Sequence, residues 1–348
     1  MRTVSDQHMT TIKDIARECG VSANTVSCVL NNKPGEVSVR TRDRVMEAVR
    51  RLGYRPSAAA RRMVGKLAHT IGIADQYTPI TYADPYKVSL LEPMIRSARA
   101  NRWDVLYYSG HYEPGGYPAF LDGRCDGLLC VTGSIAITEI DAIAQTGLPV
   151  VFIAQPRGPE GSAPPSFIDV DNEQGGFIAV SHLIGLGHKR IGMMQANDTC
   201  GNDARTDGYR RAHVVAGLTV DESLLYQAVS WDQSGYEYAK RLMALPADQR
   251  PTALFCFNDV LALATLRAAV EAGVRVPEEF SVIGFDDVAE CASSIPPLTT
   301  VRQPLSWIGQ RAVEMLIGII EGRIPPDHHE IVAPELIVRS STAPPRSK

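Results

Sequence analysis

No apolar run in the 348 residues approaches the ~18 that a membrane span needs. The longest candidate, Met315 to Ile320, is short and contains Gly318. The opening residues, MRTVSDQHMT, have no apolar stretch after Arg2, which is not the pattern of a secretory signal. A cytoplasmic protein with no membrane partner is expected. Cysteine is sparse and unclustered: seven residues, an odd number, with no Cys-x-x-Cys and no histidine at zinc spacing. Free thiols in a reducing compartment are the expectation.

Enzyme signatures are also missing. There is no GxSxG elbow, no GxxxxGKS/T phosphate loop and no HExxH. Gly185-Leu186-Gly187 closes a helical pattern and follows no strand, so it is not a dinucleotide loop. His182 and His188 read as packing or capping groups, and His328-His329 as an exposed loop pair without a role. Asp169 and Asp171 have the spacing of a metal loop, but a crossover between lobes suits them better. Asn197-Asp198-Thr199 is a sequon that matters only in a secreted protein. No enzyme, cofactor or metal site is expected.

Apolar residues make up 45% and charged residues 21% of the chain, an ordinary globular balance. The length suggests roughly two domains and a small third. The net charge of −4 hides an asymmetry. Of 35 basic and 39 acidic residues, 13 and 6 lie in residues 1–66, which leaves 22 and 33 in the remainder. The head is therefore +7 and the body −11. A basic head on an acidic body suggests that the head alone meets a polyanion.

Three short helical patterns fill residues 11–52. Thr11 can cap the first, with Asp14 near capping-box spacing, and Ile12, Ile15, Ala16 and Cys19 share a face before Gly20. Ser22 can cap the second, with Val26, Val29 and Leu30 inward, before the loop Asn31 to Gly35. Ser38 can cap the third, with Val45, Met46, Val49 and Leu52 as its buried stripe. Helix, glycine turn, helix is the helix-turn-helix pattern. Its second helix would place Ala23, Asn24 and Cys28 near base edges, with Ser22, Thr25, Ser27 and Asn31 suited to phosphates.

The strings TIKDIARECGVSANTVSCVLNN and VRTRDRVMEAVRRLGYRPSAAARRM closely resemble the DNA-binding head of the lactose-repressor/galactose-repressor family of bacterial transcription regulators. Two departures stand out. Cys28 sits where many members carry Arg and cannot make that residue's bidentate contact to guanine, whereas Asn24 can still read adenine. Met63 replaces the Leu that ends the family's hinge helix, matched here by residues 57–63, as an apolar wedge for the minor groove. The hinge is shorter than the ~12–15 residues an isolated helix needs. It is expected to fold only when two chains meet over DNA. The resemblance implies a DNA-binding set of Thr11, Ser22, Ala23, Asn24, Thr25, Ser27, Cys28, Asn31, Tyr54, Ala58 and Met63.

From Ile71 onward, short apolar runs alternate with amphipathic stretches. Strands are predicted at 71–74, 104–108, 127–131, 150–153, 191–194, 252–257 and 281–284. Helices are predicted near 87–101, 136–146, 172–186, 204–217, 234–244, 259–272 and 304–321. This alternation implies two doubly wound parallel sheets, with a ligand crevice at the carboxyl ends of their strands. The resemblance continues through Asp171-Asn172-Glu173-Gln174-Gly175-Gly176, Arg205-Thr206-Asp207-Gly208-Tyr209, Phe257-Asn258-Asp259 and Gly284-Phe285-Asp286-Asp287. It implies an all-α helix-turn-helix head on a two-lobed, periplasmic-binding-protein-like α/β core. The expected domains are a head at 1–54, a hinge and linker at 55–69, an N-terminal lobe at 70–170 plus 304–332, and a C-terminal lobe at 171–303 plus 333–348.

By the same resemblance, Arg205, Asn258, Asp286 and Trp231 would hold an effector, with Asp75 and Tyr86 at the opening of the cleft. Salt-bridge, capping or core-packing roles are the alternatives for the first four. Ala154 lies where some sugar-binding relatives carry an acid, which blurs the ligand's identity. The expected protein is a repressor of carbohydrate-use genes. It would bind a near-palindromic duplex operator as a homodimer and be switched by a sugar. The tail Ala343 to Lys348 lacks the apolar heptads with which some relatives form tetramers. A purine or other non-sugar effector stays open, as does a solute-binding protein of a transport system or an enzyme on the same scaffold.

Overall fold

The computed structural model describes residues 10–30, 37–54, 67–74, 84–108, 123–131, 146–156, 165–196, 202–228 and 233–346. The hinge at 57–63 and residues 136–145 of the helix expected at 136–146 lie outside them. The chain forms two compact units, residues 1–68 and 69–348.

The first unit carries α1 (Ile12–Cys19), α2 (Ala23–Leu30) and α3 (Val39–Arg51). Thr11 and Asp14 make a full capping box: Thr11 Oγ1 accepts the Asp14 N–H at 3.4 Å, and Asp14 Oδ2 accepts the Thr11 N–H at 2.9 Å. Gly20 ends α1 in the left-handed region at φ +58°. Ser22 accepts the Thr25 N–H at 3.0 Å at the start of α2, and Ser38 accepts that of Thr41 at 3.3 Å at the start of α3. The buried centre is Ile15, Ala16, Cys19, Val26, Val29, Val45 and Ala48. One expectation on α3 is corrected. Met46 is 38% exposed, and Ala48 takes the inward place with Val45, Val49 and Leu52. The spacing i, i+3, i+4, i+7 selects Ala48 and leaves Met46 off the stripe.

The second unit holds two six-stranded sheets. The first comprises β1 (Thr70–Ala74), β2 (Asp104–Tyr108), β3 (Gly127–Val131), β4 (Val150–Ile153), β5 (Phe167–Val170) and β11 (His329–Val332), in the order β2-β1-β3-β4-β5-β11. The second comprises β6 (Ile191–Ala196), β7 (Leu225–Ala228), β8 (Ala253–Cys256), β9 (Ser281–Asp286), β10 (Thr299–Arg302) and β12 (Glu335–Ile337), in the order β7-β6-β8-β9-β10-β12. Every pairing is parallel except β10 with β12, so the second sheet carries one antiparallel edge. Each sheet reverses strand order beside its first strand, which is where open α/β sheets bind ligands.

Helices α4 (Pro85–Ala100) and α10 (Leu305–Ile320) pack together against the first sheet around Leu90, Met94, Ile308 and Leu316. The second sheet is covered by α5 (Asn172–Gly185) and α6 (Asn202–Val215) on one face, and by α7 (Gln233–Met243) and α8 (Asp259–Glu271) on the other. The short α9 (Glu290–Ser293) follows β9. The chain passes between the sheets after Val170, after Arg302 and after Val332. His328-His329, expected as an exposed loop pair, is only partly that: His329 is exposed but lies in a strand. His329 opens β11 and stacks on Phe167 with centroids 4.5 Å apart, while His328 Nε2 lies 2.9 Å from Glu330 Oε1.

Candidate DNA-binding head and effector cleft

On α2, Ser22 and Asn24 are exposed, and Ala23, Thr25 and Ser27 are half-buried. The Ser22 and Thr25 hydroxyls lie 2.9 Å apart, so both serve the helix start as well as its surface. Ala23 and Tyr54 pack on the core of the head. Cys28, expected beside the base edges, is 6% exposed. That placement is corrected: the thiol is buried, as a small hydrophobe commonly is, which leaves Asn24 as the exposed polar side chain of this pair. Asn31, Ala58 and Met63 lie outside the described residues, as do Asp75 and Trp231 of the expected effector set.

Arg205, Asn258 and Asp286 are brought together in the second unit. All three are buried, at 5%, 5% and 4% exposure. Arg205, on α6, stacks its guanidinium on the Phe285 ring at 3.6 Å and the Phe257 ring at 4.2 Å. Its Nε donates to Asn172 Oδ1 at 2.8 Å and its Nη1 to the Phe257 carbonyl at 2.5 Å. Burial pulls the Arg205 guanidinium down, and the charges of Asp286, Asp169, Tyr86 and Asp259 push it back.

Asn258 caps α8 by accepting the Leu261 N–H at 3.0 Å. Asp286 ends β9 at φ +121°, a conformation that L-residues rarely adopt. Its Oδ1 accepts Gln303 Nε2 at 2.7 Å. Burial drives the Asp286 carboxyl well above the ordinary carboxylate range; Arg205 opposes this, while Asp259 and Asp84 add to it. Tyr86 and Asp84, at the start of α4, thus sit electrostatically against Arg205 and Asp286, which brings this end of the first sheet's helix layer near that group. Lys87, buried on the same turn, lies 3.7 Å from Asp84.

Several cleft residues were not singled out as effector ligands from sequence. Asp169 and Asn172 lie beside Arg205, Gln303 beside Asp286, and Asp259 beside Asn258. Asp259 is fully buried, with Thr300 Oγ1 donating to its Oδ1 at 2.5 Å and the Val288 N–H to its Oδ2 at 2.9 Å. The signal that could have found Asn172 and Asp259 was present, in the Asp-Asn and Asn-Asp pairs at the ends of strands. Gln303 was hidden because β10 was not foreseen.

Three atoms of this group have no protein partner among the described residues: Arg205 Nη2, Asn258 Nδ2 and Asp286 Oδ2. A buried polar atom left unpaired costs about 1–3 kcal/mol. Among the described residues this leaves polar atoms of three buried side chains without a protein partner, at the ends of strands.

Residues 11–57 match bacterial regulatory proteins of the lacI family, and residues 180–342 match the periplasmic binding protein-like domain. The chain is 34% identical over 346 residues to the HTH-type transcriptional repressor PurR of Aliivibrio fischeri, covering 96% of this chain and 99% of that protein. Its fold superposes on the lac repressor dimer bound to operator and the anti-inducer ONPF, with a TM-score of 0.80, 25% identity, and 96% and 99% of the two chains covered. It also superposes on the complex of the transcriptional regulator CelR with cellobiose, at a TM-score of 0.70, 28% identity, and 95% and 99% coverage. Head, core and nearly the whole length agree, and the chain belongs to the lacI family of bacterial regulatory proteins, DNA-binding transcription regulators that carry a ligand-binding core.

Proposed function

We propose that this protein is a repressor of carbohydrate-use genes. It acts as a homodimer on a near-palindromic operator, and a sugar bound at Arg205, Asn258 and Asp286 switches its affinity. The single observation supporting the effector half is the set of three buried polar atoms without a protein partner among the described residues. Neighbouring sugar hydroxyls each donate and accept, so they complement one guanidinium, one amide and one carboxylate oxygen. The CelR–cellobiose neighbour supports a sugar. Similarity to the repressor PurR favours a second reading, a purine or other non-sugar effector.

A melting-temperature screen of monosaccharides, disaccharides and purine bases separates the two. A sugar at 100 times its Kd stabilises the folded protein by about 2.7 kcal/mol. The same sugar is expected to leave Asp286→Asn and Arg205→Lys unshifted. A shift from a purine base, with none from any sugar, establishes the second reading instead.

A further inference from the structure

Arg205 is held by a run of hydrogen bonds that begins in the other sheet. Just past β4, the Gln155 N–H donates to Asp169 Oδ2 at 2.9 Å. Asp169, on β5, receives Asn172 Nδ2 on the same oxygen at 3.1 Å and the Val170 N–H on Oδ1 at 2.7 Å. Asn172 opens α5, directly after the chain leaves the first sheet, and its Nδ2 also reaches the Val170 carbonyl at 3.1 Å. Its Oδ1 accepts Arg205 Nε at 2.8 Å, and Arg205 Nη1 donates to the Phe257 carbonyl past β8 at 2.5 Å. Asp169 and Asn172 are each 7% exposed, so little water competes for these partners.

The polarity of the run is set at one end. A carboxylate only accepts, so Asp169 takes the amide nitrogen of Asn172 and leaves its oxygen for Arg205. We propose that Asp169 and Asn172 are positioning residues, which hold the Arg205 guanidinium in its direction and tie it to the strand ends of the first sheet. Its purpose rests on the effector-cleft reading above, but its geometry does not. Movement of those strand ends is then felt at Arg205. This gives the cleft a physical connection across the crossover.

The experiment uses the full chain labelled with ¹⁵N at arginine Nε, with the Arg205 signal assigned by its loss in Arg205→Lys. Asp169→Asn keeps the side chain's size but leaves one oxygen for three donors, the N–H groups of Gln155 and Val170 and Nδ2 of Asn172. The hold on Asn172 Nδ2 is weakened, and with it the presentation of its oxygen to Arg205 Nε. Loss of this charge-assisted bond is expected to speed hydrogen exchange at Arg205 Nε–H by roughly tenfold or more. The reciprocal double variant, Asp169→Asn with Asn172→Asp, again offers an acceptor to Arg205, and protection is expected to return. Should Asp169→Asn not fold, Asn172→Ala removes the same acceptor while Asp169 keeps its backbone partners, and the same loss is expected.

Protection left unchanged in the single variants overturns the proposal. So does a loss that the double variant fails to restore, since a simple stapling of β4 to β5 predicts no rescue. These readouts need no effector. Failure of every sugar to bind therefore counts against the effector reading alone.

Discussion

Asp259 is an acid buried near a second buried acid, Asp286. Burial raises Asp259 from the ordinary value of 3.8 to about 6, against the bonds from Thr300, Cys291 and Val288. A folded value above the unfolded one means that the folded protein holds the proton more tightly. The stabilising contribution of that proton is complete below about 3.8 and is lost as pH rises through about 6. Stability of the native chain relative to Asp259→Asn is therefore expected to rise as pH falls from 7.5 toward 4.5, by on the order of a few kcal/mol. Denaturant unfolding of both proteins across that window checks this, and a flat difference contradicts it. In the head, Asn24→Ala is expected to weaken specific binding by roughly 1–3 kcal/mol and relax one base position. Binding curves on duplexes varied one position at a time check it; uniform weakening across all sequences assigns Asn24 to phosphate instead. At this scale, the sequence revealed what chain position alone decides. Arg205, Asn258 and Asp286 form a buried group. The burial of Cys28 is set by tertiary packing, which residue type does not disclose.

Two helices illustrate how elements constrain the site. α5 and α6 meet through glycine: a Cβ on Gly176 would stand 2.2 Å from the Arg205 carbonyl oxygen, and one on Gly208 would stand 2.1 Å from that of Glu173. Backbone cannot yield there as a flexible side chain could. Gly176→Ala is expected to cost about 1–3 kcal/mol through forced separation of the helices, and to displace Arg205. Gly185→Ala is the control on the same helix, with nothing within 4 Å of its added methyl. It is expected to be neutral or to stabilise by up to about 1 kcal/mol. Urea unfolding of the two variants reads the contrast. Thr11→Ala removes one arm of the capping box and is expected to destabilise α1 by about 1 kcal/mol, seen as faster amide exchange at Asp14. Element type was legible wherever a run was long and periodic, as in α4, α8 and α10. It was not legible for β5, whose apolar run is broken by Asp169, nor for β7, β11 and β12, which form sheet edges and bury at most one residue each. An edge strand buries too little to write a period into four residues.

For the whole molecule, switching requires unequal effector affinity in two arrangements of the lobes; equal affinity shifts nothing. The polar run from Gln155 to Phe257 links the two sheets through one buried arginine, Arg205. Charge is divided unevenly, +7 in residues 1–66 and −11 in the remainder, and the basic part is the one suited to a polyanion. Two-fold pairing of such chains puts two heads on one duplex, and half-site symmetry follows from it. The central claim is sequence-specific recognition of a duplex by a dimer. Its most direct test is to incubate the full chain with a randomised duplex pool in moderate salt and to sequence what is retained. The account predicts enrichment of one two-fold symmetric site. Retention that follows no sequence, or a single asymmetric half-site, contradicts it.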